Sequence, residues 1–187
     1  MTAATTGLAG LSGLPSGTWT IDPVHSHVSF SVRHLMVSKV RGSFGTFTGT
    51  IEVPESGDPV ANAEIAVDSF DTGNAQRDAH IRSADFLEVE NFPTMSFRST
   101  GLRAKGSDFV LEGELTLHGV TKSVELELEF NGVNPGMGNG PVAGFEARTE
   151  LNRRDFGIDI TMALEGGGVV VGDKISITLE IEAGQQS

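Results

Sequence analysis

Over most of its length the chain alternates apolar and polar residues with a period of two, the mark of strands that bury one face. Thr18 to Asp22 reads as a short strand ending in a turn at Pro23. From His25 to Arg33, Val28, Phe30 and Val32 share one face, and His27, Ser29, Ser31 and Arg33 share the other. Arg41 to Val53 continues as strand with Phe47, Ile51 and Val53 together, and its glycines Gly42, Gly45 and Gly49 predict bulges or strong coiling. Ala61 to Ser69 groups Ala63, Ile65 and Val67, and Thr94 to Leu102 groups Met95 and Phe97. Phe109 to Leu117 sets Phe109, Leu111, Leu115 and Leu117 against Val110, Glu112, Glu114 and Thr116. After the turn His118 to Lys122 comes the cleanest alternation, Val124, Leu126, Leu128 and Phe130 against Glu125, Glu127 and Glu129. Val142 to Leu151, with Phe145 inward, and Ile175 to Glu182 complete the set.

One stretch departs from this period. Between Asp71 and Leu87, Ala75, Ala79, Ile81, Ala84 and Leu87 fall near helical spacing, with Arg77, Asp78, Arg82 and Asp85 opposite. Gly73 turns the chain in, Asn74 supplies an N-cap, and Asn91-Phe-Pro93 ends the segment, because proline cannot continue a helix. The expectation is an all-β protein: a single antiparallel, lipocalin-like β-barrel of about eight strands with one short helical segment over about residues 74–88. Closing the sheet covers its apolar face and removes its edges; a sandwich with a packed core is the other solution that the pattern leaves open.

A length of 187 residues fits one domain, expected over residues 18–183, with a disordered tail at 1–17 and a short tail at 184–187. Eleven Phe, one Trp and no Tyr give an aromatic set that lines apolar space without needing polar partners. A net charge of −12 argues against nucleic acid, and equally against an anionic membrane surface. Stable membrane insertion is not expected, since no run is long and apolar enough to span a bilayer. The absence of Cys excludes disulfides and thiol chemistry. Residues 1–17 have neither a basic n-region nor a solid apolar run, so the expected location is cytoplasmic.

Candidate chemistry is sparse. His25 and His27 sit two apart on a strand, the spacing of a metal pair, but Ser29 and Ser31 stand where a carboxylate ligand would be needed. His34, His80 and His118 are isolated in sequence. Arg77, Asp78, His80 and Arg82 form either a polar cluster at a barrel mouth or a solvated helix face, and Asn152 to Asp155 either an anion site or a turn. Gly166 to Gly168 is no phosphate loop, lacking a following Lys-Ser/Thr and helix. The strand glutamates Glu112, Glu114, Glu125 and Glu127 face outward as solubilising charges.

Six motifs in order nevertheless resemble one family. They are Trp19-x-Ile-Asp-x-x-His25-Ser26-x-Val-x-Phe30, His34 followed by Gly42-Ser-Phe44, and Asp71-Thr-Gly-Asn-Ala-Gln-Arg-Asp-Ala-His80. Phe92-Pro-Thr-Met-Ser-Phe97, Gly113-Glu-Leu-Thr-Leu-His-Gly-Val-Thr-Lys122 and Arg154-Asp-Phe-Gly157 follow. Together they resemble the YceI-like polyisoprenoid-binding proteins from Trp19 to Ala183. The resemblance implies a barrel whose tunnel holds a long isoprenoid, such as a polyprenyl diphosphate or quinone tail, or another long-chain lipid, with no cofactor and no catalysis. It also implies a tendency to form homodimers. Combined with the inward faces, it points to a tunnel lined by Phe30, Val32, Phe47, Ile65, Val67, Phe86, Met95, Phe97, Leu111, Leu115, Leu126, Leu128, Phe145 and Phe156. Arg33, His34, Arg77, Asp78 and His80 would form its polar mouth. The rival readings are a metal-dependent hydrolase or isomerase using His25 and His27, and an interaction module with a filled core.

Overall fold

The structure, a computed structural model, describes residue 11, residues 13–161 and residues 170–187. In chain order the elements are β1 Gly17–Ile21, β2 His27–His34, β3 Ser38–Phe44, β4 Phe47–Val53, β5 Val60–Ala66, β6 Phe70–Asp71 and α1 Ala75–Arg82. β7 Thr94–Lys105, β8 Asp108–Leu117, β9 Val120–Asn134, β10 Val142–Asn152 and β11 Val171–Gln185 follow. The order β1-β4-β5-β7-β8-β9-β10-β11 closes on itself through β1–β11 pairing, an 8-strand antiparallel barrel.

The barrel wall forks on β11. Its far end pairs with β1 (Ile21↔Ala183, Trp19↔Gln185), while residues 171–180 pair with β2 (Leu179↔Val28, Ile177↔Phe30). β2 pairs with β3, and β3 pairs with β6, which continues β5 through a 3₁₀ turn at Val67–Ser69. The fork therefore widens one end of the barrel into a second lobe made by the β2–β3 hairpin. Two clusters of buried side chains follow this division. One surrounds fully buried Trp19 with Leu102, Phe109, Leu126 and Phe145; the other joins Val28, Phe44, Phe47, Ile65, Phe70, Met95 and Phe156.

Several expectations are corrected here. The stretch from Arg41 to Val53 is two strands, because Phe44 and Phe47, three apart, are both buried and a continuous strand would place them on opposite faces. Gly45 and Thr46 make the corner, the Gly45 N–H donating to Ser69 O and Thr46 O accepting from the Ala66 N–H. Gly42 and Gly49 are not bulges: a Cβ at either would strike the Phe30 ring or Ile21 within 2.5 Å, so both make room for a neighbour lying across the strand. The register shifts fall instead after Ser99, at Gly144/Phe145 and between Val171 and Ile175.

The helix begins as read, with Gly73 at φ 78° and the Asn74 side chain accepting from the Arg77 N–H at 2.9 Å. It stops at Arg82, well short of Pro93. The Ser83 N–H and hydroxyl both turn back to His80 O, and Ser83 Oγ accepts from the Asp85 N–H, a local competition that breaks helices. Gly184 and Gln185 belong to β11, not to a tail, since β1 needs them as partners. Leu11 is buried and Leu14 packs beside it at the end of the stretch read as disordered; residues 1–10 and Gly166 to Gly168 lie outside the described residues.

Candidate functional site: an apolar cavity with one polar end

The inward faces do not fill the barrel. A chamber of about 520 Å³ lies under α1 and the β2–β3 hairpin, and a narrower space of about 180 Å³ continues along the barrel. Phe44, Met95, Leu151 and Ile177 line both and so form the neck between them. The narrow part is walled by Ile51, Ile65, Phe97, Leu111, Leu115, Leu126, Leu128 and Phe145, among others. In the wide part Phe30 stacks on Phe70 with ring centroids 5.0 Å apart.

Arginine and histidine side chains gather at one end only, Arg33, His34, Arg77, His80 and Arg153 with Asn74 and Gln76 beside them. Among the described residues, the narrow part has only the neutral Ser29, Thr48, Asn62 and Thr149 in its apolar wall. Asn74, Gln76, His80 and Arg33 are exposed, so the cavity reaches the surface there. No carboxylate lines either part among the described residues, although acids exceed bases by twelve in the chain. The end is held rigidly. Arg77 donates through Nε to Thr72 Oγ1 at 2.8 Å and through Nη2 to Thr72 O at 3.0 Å. Arg82 ties the helix back to Asp68 O and Phe70 O. His80 Nε2 lies 2.9 Å from Asp85 Oδ2, with its ring edge-on to Phe86.

Of the predicted tunnel residues, all but one line the cavity; Val67 is 1% exposed and packs in the core beneath its 3₁₀ turn. Of the predicted mouth residues, Arg33, His34, Arg77 and His80 line it and Asp78 does not. Asp78 turns inward, accepting from the Thr72 N–H and hydroxyl. Burial pushes its carboxyl up, but the Thr72 hydrogen bonds together with Arg82 and Arg77 outweigh this and hold it below the usual carboxylate range.

Among the described residues, Arg153 is the one charged wall residue outside the predicted mouth, beside other unpredicted lining residues such as Phe44, Phe70, Asn74 and Gln76. It is 4% exposed and serves the turn after β10 as well as the cavity. Nε donates to Gly172 O at 3.1 Å and Nη1 to Ile158 O at 2.7 Å. Nη2 lies 3.1 Å from Asp173 Oδ1, within ion-pair reach but out of line for a hydrogen bond. Burial pulls this guanidinium down from its ordinary value, with Asp173 opposing. Its signal was the Asn152-Arg-Arg-Asp155 run, which is both a turn and a cation source.

The two histidines of the metal reading do not meet. His25 Nδ1 is 2.7 Å from Asp22 Oδ2 and 3.8 Å from Glu182 Oε1, while His27 stands exposed at the start of β2. The hydrogen bond to Asp22 raises His25 from its usual value, and that from His25 lowers Asp22. His118 is structural: Nδ1 donates to Phe156 O at 3.0 Å, and its ring packs on Phe92 with centroids 4.7 Å apart. Three of the four outward glutamates are paired on the surface, Glu112 and Glu125 with Arg103, and Glu127 with Lys105.

A closed antiparallel barrel around an apolar cavity that opens at one polar end defines a lipocalin-like binding barrel. The chain belongs to the YceI-like family: a family model described as a YceI-like domain matches residues 19–183. Protein YceI of Salmonella newport is 42% identical over 137 residues, 72% of this chain and 71% of the relative. The YceI protein of Campylobacter jejuni superposes with a TM-score of 0.71 at 27% identity, covering 83% of this chain and 90% of that one. Two more distant structures share the fold. Burkholderia cenocepacia BcnA has a TM-score of 0.72 at 20% identity, over 87% and 98% of the two chains. A polyisoprenoid binding domain from Saccharophagus degradans has 0.68 at 15%, over 90% and 98%.

Proposed function

We propose that this protein is a non-enzymatic carrier of a long-chain isoprenoid, a polyprenyl diphosphate or a quinone tail, held in the barrel with its head at the polar end. The carrying observation is the one-sided distribution of cationic and histidine side chains. Three arginines and two histidines line one end without a carboxylate, and the rest is lined by uncharged, mostly apolar side chains. Such a wall suits a ligand with a long apolar tail and a hydrogen-bond-accepting or anionic head. Burying on the order of 600 Å² of isoprenoid at about 25 cal/mol per Å² offers roughly 15 kcal/mol before the costs of ordering and association. Binding of this kind needs no chemistry. The name of the Saccharophagus domain, a polyisoprenoid binding domain, supports the ligand class.

Organic extraction of purified protein followed by mass spectrometry tests the reading. A long-chain isoprenoid at about one per chain is the expected result. A folded protein that yields an empty extract and also fails to bind radiolabelled polyprenyl diphosphate would overturn it. A fatty acid or fatty amide in the extract would replace the isoprenoid and keep the carrier.

A further inference from the structure

The β2–β3 hairpin ends in a three-residue tip, Leu35-Met36-Val37, between the paired residues His34 and Ser38. The Val37 N–H donates to His34 O at 3.2 Å, and the two central residues have φ of 51° and 63°. A turn with positive φ at both central positions selects Asn-Gly, because only such residues take that backbone without strain. Leu35 and Met36 hold it against that preference. Packing covers them only in part: Leu35, Met36 and Val37 are 39%, 52% and 83% exposed. Three of the five exposed large hydrophobic residues among the described residues are therefore consecutive, on one strained tip. Strain and exposed apolar surface kept together point to a contact outside the chain.

The charges around the tip name its chemistry. Arg33 lies directly opposite Lys39, and Arg41 opposite Ser31, so the three cations share one face of the hairpin. No Asp or Glu occurs between Asp22 and Glu52, in a chain of net charge −12. Apolar side chains at a tip with cations set back along the strands match a bilayer in cross-section, acyl chains below and anionic phosphates above. The tip is also continuous with the polar end of the cavity. Arg33, His34 and Val40, on the strands that carry it, line the chamber, and the Leu35 N–H donates to Val170 O beside it.

We propose that Leu35-Met36-Val37 docks into the surface of an anionic bilayer, with Arg33, Lys39 and Arg41 on lipid phosphates, so that the cavity opens where its cargo resides. The cargo rests on the carrier reading; the docking does not. The overall negative charge repels the same surface and orients the protein, leaving this hairpin as the face that can approach.

The test is sedimentation of the full chain with phosphatidylcholine vesicles, alone or with about one quarter phosphatidylglycerol. Wild type is expected to sediment with the anionic vesicles. The triple variant Leu35→Asn/Met36→Gly/Val37→Ser should lose at least about tenfold in partitioning. Its Tm should be unchanged or higher, because Asn-Gly relaxes the turn, and its uptake of a polyprenyl probe added from ethanol should match wild type. Lys39→Gln/Arg41→Gln should weaken sedimentation on the anionic vesicles only. Wild type remaining in the supernatant with both vesicles, or a triple variant that sediments like wild type, would overturn the docking. So would a triple variant that converts a dimer to monomers with partitioning unchanged, which would assign the tip to a second copy. Wild type that sediments but takes up no isoprenoid would support the docking and sink only the carrier reading.

Discussion

Ser26 and Glu182 hydrogen-bond to each other in both directions at the point where β11 changes partner. The Ser26 hydroxyl donates to Glu182 O at 3.2 Å and accepts from the Glu182 N–H at 3.0 Å, and Glu182 O also takes the Asp22 N–H at 2.8 Å. A side chain thus completes the ladder in the gap between the β2 and β1 pairings, and it is 3% exposed. Ser26→Ala would leave the Glu182 N–H without its partner, a loss of about 1–3 kcal/mol. Urea denaturation should show the midpoint fall with an unchanged m-value. A loss under about 0.5 kcal/mol would mean that water takes the place of the hydroxyl.

That fork shows where sequence stops being legible. The period-two faces around Phe30, Leu126 and Phe145 could be read directly, because burial on one face of a strand leaves a local signature. Ser26 could not, since its partner is 156 residues away. The Phe44–Phe47 corner was hidden because glycine-rich strand looks the same whether it coils or breaks. Leu11 and Leu14 sit in a bland, small-residue leader whose composition carries no sign of packing. At the site, the apolar wall was legible as apolar alternation. The cationic end was only partly so, because Arg153 follows a strand where a turn explains it equally well. Asp78 was misplaced for a related reason: its helix offers both an inward and an outward polar face.

Gly42 makes the room in which Phe30 lies. A Cβ there would sit 2.4 Å from Phe30 Cζ and 2.7 Å from the backbone oxygen of Asp71, and only the ring can yield easily. Gly42→Ala should displace Phe30 from its stack on Phe70 and cost about 1–3 kcal/mol. Because both rings line the wide chamber, isoprenoid affinity should fall in the same variant. Thermal unfolding and ligand titration read the two effects. Wild-type values in both would show that β3 shifts as a unit to accept the methyl.

Asp78 ties α1 to Thr72, and its carboxyl is held below the ordinary range. A depressed folded value stabilises the protein above the unfolded value, near 3.9, and that contribution is lost as pH falls through the folded value. Asp78→Asn should therefore cost about 1–3 kcal/mol at neutral pH, because an amide N–H₂ replaces one accepting oxygen. The gap between wild type and variant should stay flat from pH 7 to about 5 and close at lower pH. Denaturation midpoints across that range check it. A gap that widened on acidification would reverse the sign assigned to this group.

Met95 sits at the neck, lining both the wide chamber and the narrow extension, and it is 9% exposed. Whether cargo threads past it decides how long a tail the barrel accepts. Met95→Trp would put a rigid, bulkier ring where a flexible thioether now stands, closing the way to the space of about 180 Å³ beyond. Each buried methylene contributes about 0.8 kcal/mol, so excluding two of them already weakens binding by roughly tenfold. Titration with a long polyprenyl diphosphate should show at least that loss, while farnesyl diphosphate, short enough to remain in the wide chamber, should bind much as before. Met95→Phe, with an unchanged Tm, separates blockage from misfolding and should fall between the two. Equal losses for long and short probes would place the defect at the polar end. No loss for either would show that the tail turns back before the neck and leaves the narrow space as packing alone.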